Sequence, residues 1–166
     1  MSHLVWLDLE MTGLDPKYEK IIEIATIVTD YSLNIVAEGP NIVVNQSTAL
    51  LNNMDDWNTN QHMKSGLTEQ VKISQITDAE AEEQTLQFLE QYLKPGESPL
   101  CGNTISHDRR FLLKYMPTLA RFFHYRNIDV TSVKLLAKIW SDIGEANVKN
   151  DSKHRADRKS TRLNSS

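Results

Sequence analysis

The chain has 166 residues, 40% hydrophobic and 24% charged, with a formal charge of −4; this is the profile of one globular domain with a real core. It holds no apolar run long enough to span a bilayer and no basic-plus-apolar leader before its first strand, and its single cysteine, Cys101, leaves no internal disulfide partner, so a cytoplasmic, reducing compartment is expected. Residues 155–166 carry four cations and one acid, so residues 1–154 hold 14 cations against 21 acids; so acidic a body argues against sequence-independent wrapping of long nucleic acid but leaves room for a small anionic substrate held by metals and a few local cations.

Leu4 to Met11 is apolar apart from Asp8 and Glu10 and reads as a buried strand. Strand side chains alternate faces, so Asp8 and Glu10 project together beside Trp6, while Leu7, Leu9 and Met11 point the other way. Two carboxylates in an apolar setting are tolerable when protonated, paired or metal-bound. Hard divalent cations such as Mg²⁺ and Mn²⁺ select such oxygen ligands. The other reading is a strand end where both acids reach water, and on the pair alone both stand. Ile21 to Asp30 is rich in β-branched residues and reads as a second strand, Ile35 to Asn45 as a third, interrupted at Gly39-Pro40, with Asp30 to Asn34 a hairpin loop between them. Asn45 to Ser65 is a polar connection, long enough to suggest a functional loop. Thr77 to Lys94 is the clearest helix: Thr77 and Glu80 have capping-box spacing, Ala81, Leu86, Leu89 and Leu93 give an apolar face, and Pro95-Gly96 ends it. Leu100 to Gly102 reads as a short strand, His107 to Tyr125 as helix broken at Pro117, Asn127 to Val130 as a strand, and Thr131 to Gly144 as an amphipathic helix. The order predicts an α/β domain with a mixed central sheet flanked by helices.

Four segments carry more: WLDLEMTGL (Trp6 to Leu14), GNTISHDRRF (Gly102 to Phe111), YRNIDVTSVK (Tyr125 to Lys134) and KHRA (Lys153 to Ala156). Together they closely resemble the oligoribonucleases, small 3′→5′ exonucleases of the DEDD superfamily in the branch that uses a histidine base. The resemblance runs from about Leu4 to Ala156. It implies the ribonuclease H-like exonuclease fold, hydrolysis of short RNA oligonucleotides and dinucleotides to mononucleotides, two divalent ions (Mg²⁺ or Mn²⁺), and a homodimer. Asp8 and Glu10 match the first two metal-binding acids, Asp108 the third, and His154 the general base. Read without the motifs, Asp108 is an acid capping a helix start, and His154 a solvated loop histidine. Phosphodiester hydrolysis explains the residue types: two cations about 4 Å apart can neutralise the transition state and its leaving oxygen, several carboxylates are needed to hold them, and a histidine with an ordinary pKa of about 6.5 suits proton removal from water. The resemblance further implies that Leu14 wedges against the terminal bases, with ordinary core packing as its other reading. Trp57 and His62 would line the base pocket, Thr104 and Thr131 cap the terminal phosphate, and Tyr125 and Arg126 reach the neighbouring subunit's site.

The chain departs from the family pattern where a final metal-binding Asp is expected five residues after the histidine: Lys159 stands there, and Asp157 is the nearest acid. On a helix, positions three and five residues on differ by about 200°, so Asp157 replaces the missing ligand only if the backbone rearranges. The closing RKSTRLNSS has no apolar periodicity; residues 1–156 read as the exonuclease domain and 157–166 as a linker- or adaptor-derived tail, with a natural disordered terminus as the alternative. Two other functions remain open. One is a related histidine-branch exonuclease acting on structured RNA ends or on DNA, for which more basic surface is expected. The other is a non-catalytic module that binds short oligonucleotides through Leu14, His62 and Tyr125, which Lys159 favours. His107, directly before Asp108, has no assigned role.

Overall fold

The structure, a computed structural model, describes residues 3–140. His154, Asp157, Lys159 and the tail expected from residue 157 onward lie outside the described residues. The first strand, β1 (Leu4–Met11), has the bounds its sequence predicts. It pairs antiparallel with β2 (Ile21–Thr29), which is buried along its whole length. Strand β3 (Ile35–Glu38) and the short β4 (Ile42–Val43) both pair antiparallel with β2, and β5 (Pro99–Gly102) and β6 (His124–Asp129) continue the sheet in parallel from β1. The sheet is therefore mixed, with order β3-β2-β1-β5-β6. The β2–β3 loop is the expected hairpin, closed by Asp30 N donating to Asn34 O at 3.0 Å and by Leu33 at φ +66°.

The long polar connection is not a loop. It holds α1 (Thr48–Asn52) and α2 (Asp56–Ser65), and α3 (Leu67–Ile73) follows. Ser47 and Asp55 cap the first two through their side chains, accepting from Leu50 N and Asn58 N. Leu51, Met54, Leu67 and Val71 are buried together over Ile22 of β2, and that burial, rather than local propensity, stabilises three short helices. Helix α4 (Asp78–Leu89) starts on the Thr77/Glu80 capping box but stops short of Lys94. Its end tightens into turns, Gln91 N bonding Phe88 O at 3.3 Å and Tyr92 N bonding Leu89 O at 2.9 Å.

Helices α5 (Ile105–Tyr115) and α6 (Pro117–Phe122) break at Pro117 as expected. Val5, Leu7 and Leu9 of β1 join Ala81 and Leu89 of α4, Phe111 and Leu112 of α5 and Leu119 of α6 in the main core. On the opposite face Leu4 and Trp6 pack with Ile27, Cys101 and Val130, and Trp6 Nε1 donates to Thr29 Oγ1 at 2.9 Å. Two boundaries at the far edge move: β6 begins at His124 rather than Asn127, and Val130 opens α7 (Val130–Trp140), whose Val133, Leu136, Ile139 and Trp140 are exposed. Among the described residues no helix is long and apolar enough to cross a membrane.

Candidate active site

Strand alternation decides which side chains meet. Leu7 and Leu9 enter the core, so Asp8 and Glu10 share the face of Trp6. Asp8 is half-buried and Glu10 is 6% exposed. Parallel pairing between β1 and β5 covers Val5 and Trp6. Beyond that β5 ends at Gly102 and the chain turns into α5 against the open edge of β1. Gly102 makes this approach possible, since an added Cβ would sit 2.9 Å from Leu7 O and 2.7 Å from Ile105 Cδ1. One turn into α5, Asp108 (6% exposed) accepts a 3.0 Å hydrogen bond from Leu9 N through Oδ1. Leu9 lies between Asp8 and Glu10, so the third acid is tied to the backbone that carries the first two. All three stand at the carboxyl ends of the parallel strands, where open α/β sheets bind their ligands.

Thr104, at φ +49°, precedes α5. Its backbone N donates to Asp129 Oδ1 at 2.9 Å and to Thr131 Oγ1 at 3.0 Å, its hydroxyl bonds that of Thr131 at 3.0 Å, and Thr131 N also donates to Asp129 Oδ1 at 2.9 Å. The two threonines expected at the phosphate are thus brought together. Asp129 joins the starts of α5 and α7.

His62 of α2 is 1% exposed, and its Nε2 donates to Met11 O at 2.9 Å. That bond makes Nε2 the donor, and Nδ1 has no hydrogen-bond partner among the described residues. Trp57, near the start of the same helix, is 57% exposed. Leu14 is 76% exposed in the loop that follows β1, so core packing is not its role. On the edge strand β6, Tyr125 is 73% exposed, stacks on His124 with ring centroids 4.4 Å apart, and lies under the Arg126 guanidinium at 5.2 Å. His107 rests edge-on against the Phe111 ring at 5.3 Å; burial, aided by Arg110, lowers its pKa and favours the neutral ring.

Two neighbours of the site went unread in the sequence. Glu23 is fully buried and directly opposite Glu10 across the β1–β2 ladder, so the two side chains share a face. Its signal was an acid inside the β-branched run of β2. Asp129 announced itself as an Asp two residues before a Thr at a helix start, a common local turn. The donor set of Asp8, Glu10 and Asp108 is all carboxylate oxygen, as hard divalent cations require, and the buried setting disfavours three unneutralised acids side by side. Their backbones are gathered, yet no group of three or more acid, histidine or cysteine side chains among the described residues is closed up to hold an ion.

A family model described as exonuclease matches residues 5–158. The oligoribonuclease of Marinobacter nauticus is 59% identical over 155 residues, covering 93% of this chain and 86% of that protein. That of Alcanivorax borkumensis is 60% identical over 139 residues, 84% of this chain and 77% of its own. Among solved structures, exonuclease I of Methylocaldum szegediense matches 87% of this chain and 31% of its own with a TM-score of 0.63 and 20% identity. The zinc-bound form of the E. coli exonuclease I complex with single-stranded DNA matches 98% and 39% with a TM-score of 0.70 and 14% identity. This chain spans about a third of those exonuclease I chains, and the likeness establishes the ribonuclease H-like exonuclease fold. With the exonuclease model over most of its length and close relatives of that name, the chain belongs to the oligoribonuclease family of exonucleases and is a nuclease.

Proposed function

We propose that this chain hydrolyses short RNA oligonucleotides, down to dinucleotides, from the 3′ end to 5′-mononucleotides. The observation that supports it most is the Asp108–Leu9 hydrogen bond, which draws a third acid to the strand bearing Asp8 and Glu10. In this reading Asp8, Glu10 and Asp108 hold two divalent cations, Mg²⁺ or Mn²⁺, with Asp157 as a candidate further ligand. Ions held by these carboxylates would supply charge neutralisation at the attacked phosphate and the departing oxygen and would acidify the attacking water. His154 takes the proton from that water.

The substrate is gripped around these acids. Leu14 packs on the terminal bases and Trp57 stacks on them, a contact worth about 1–3 kcal/mol per base and tolerant of base identity. His62 offers its unpartnered Nδ1 to the base pocket. Thr104 and Thr131 cap the terminal phosphate with their hydroxyls, and a capped end favours very short chains. Tyr125 and Arg126 serve a homodimer: they project, exposed, from β6, which ends the strand order among the described residues and so offers an edge that a second copy can meet. A reducing, cytoplasmic-type compartment fits the buried, free Cys101.

The test is release of mononucleotide from a 5′-phosphorylated RNA dinucleotide in Mn²⁺. Turnover that disappears in Asp8→Ala and falls by about 10²–10⁴-fold in a His154→Ala variant that still folds is the expected result; an unchanged rate in His154→Ala removes it from the mechanism. Lys159, standing where the family carries an acid, favours a second reading in which the chain binds the dinucleotide and turns it over poorly. Retained affinity with no product would select that reading.

A further inference from the structure

The loop 12–20 between β1 and β2 is held more firmly than an exposed connection requires. Its base is closed by Thr12 N donating to Lys20 O at 3.0 Å and Lys20 N donating to Thr12 Oγ1 at 3.1 Å, while the Thr12 hydroxyl donates to the Glu19 carboxylate. Glu19 folds over Gly13, where an added Cβ would meet its Cδ at 2.8 Å. Inside the loop Asp15 accepts from Lys17 N at its side chain (2.9 Å) and from Tyr18 N (3.1 Å) and Glu19 N (2.9 Å) at its carbonyl.

A second restraint comes from far along the chain. At the last turn of α5, Lys114 Nζ donates to Pro16 O at 2.6 Å and Lys17 O at 3.0 Å, and Tyr115 Oη donates to Pro16 O at 2.7 Å. The Lys20 ammonium lies 4.1 Å above the Tyr115 ring, a cation–π contact that ties the loop's far end to the same residue. Helix α5 therefore holds Asp108 against β1 at one end and the Leu14 loop at the other. About 10 Å of helix, at 1.5 Å per residue, separates the two anchor points.

We propose that Lys114 and Tyr115 are positioning residues for substrate: through the Pro16 and Lys17 carbonyls they fix the loop so that the exposed Leu14 is presented to the terminal bases in register with the acids. This rests on the substrate-contact role of Leu14 given above. A mobile loop would have to be ordered by each incoming substrate, and pre-ordering removes that cost from binding.

The test is a double-mutant cycle on the full chain. Affinity for a fluorescent 5′-phosphorylated RNA dinucleotide is measured in Ca²⁺ for the parent, for Leu14→Ala, for Lys114→Met with Tyr115→Phe, and for the combination. The clamp variant is expected to bind about 5–10-fold more weakly, to add almost nothing in the Leu14→Ala background, and to recover in Lys114→Arg with Tyr115 intact. An equal loss in both backgrounds, or no loss in the clamp variant while Leu14→Ala weakens binding, would overturn the clamp and leave the Leu14 reading standing. Unchanged affinity in Leu14→Ala would remove the Leu14 reading and the clamp with it. If the paired substitution does not fold, judged by its melting curve, Tyr115→Phe alone carries the cycle, since it deletes one hydroxyl and keeps the ring.

Discussion

Asp108 does two separable things, and two substitutions pull them apart. Its Oδ1 accepts the Leu9 amide proton in a buried position, and its charge is proposed to help hold the ions. In Asp108→Ala the Leu9 N–H loses its acceptor, at a cost of about 1–3 kcal/mol. At about 2–4 °C per kcal/mol for a domain of this size, the melting temperature falls by about 2–12 °C. Asp108→Asn keeps a carbonyl oxygen for Leu9 and drops the charge, so without ions it should melt well above Asp108→Ala. Added ions should separate it from the parent. At a hundredfold excess over its dissociation constant a bound ion contributes about 2.7 kcal/mol to the native state, or about 5–11 °C in the parent. The Asn variant should show little of this rise and release no mononucleotide. The assay is thermal melting with and without Mn²⁺, alongside turnover. Equal melting of the Ala and Asn variants without ions would refute the role of the Leu9 bond, and a full Mn²⁺ shift in Asp108→Asn would refute the ligand role.

Gly102→Ala forces a Cβ to within 2.9 Å of the Leu7 carbonyl, so the junction of β5 and α5 must move off β1; the expected result is about 1–3 kcal/mol of destabilisation in denaturant titration and a loss of turnover larger than the loss of fold. A variant as stable and active as the parent would show that the junction has slack. Burial pushes the Cys101 thiol up to about 12, so almost no thiolate exists at pH 8. A disulfide reagent should therefore leave the folded chain unlabelled, titrate one thiol in denaturant, and gain on the native protein only as the pH climbs toward that value. Labelling at pH 8 without denaturant would contradict the burial.

Strand β1 and the shared face of Asp8 and Glu10 are legible in the sequence because period-two alternation is a local property. Leu7, Leu9 and the two acids settle it within one strand. Motif resemblance picked out His62 but not its burial, nor its bond to Met11, since neither is encoded near residue 62. The helices α1, α2 and α3 escaped notice because Leu51, Met54, Leu67 and Val71 are too sparse for a periodic pattern and gain their value only over Ile22. Asp108 was assigned from the motif, while its hydrogen bond to Leu9 depends on how far β5 runs beside β1. Glu23 was hidden by register: only the pairing of β1 with β2 sets it opposite Glu10. Asp129 depended likewise on two helix starts meeting at the ends of adjacent strands.

The position of β1 has a kinetic consequence. It is laddered to β2 along its length, to β5 at Val5 and Trp6, and to the Asp108 side chain at Leu9 N, so its bonded amides should be among the slowest in the domain to exchange with deuterium. Tyr125 and Arg126 ride on β6 at the rim, where fraying is the easier route to exchange. Asp8 and Glu10 are thus expected near the stable end of the molecule's scale of local opening and Tyr125 and Arg126 near the other, so the rim should open many times before the strand that bears the two acids opens once.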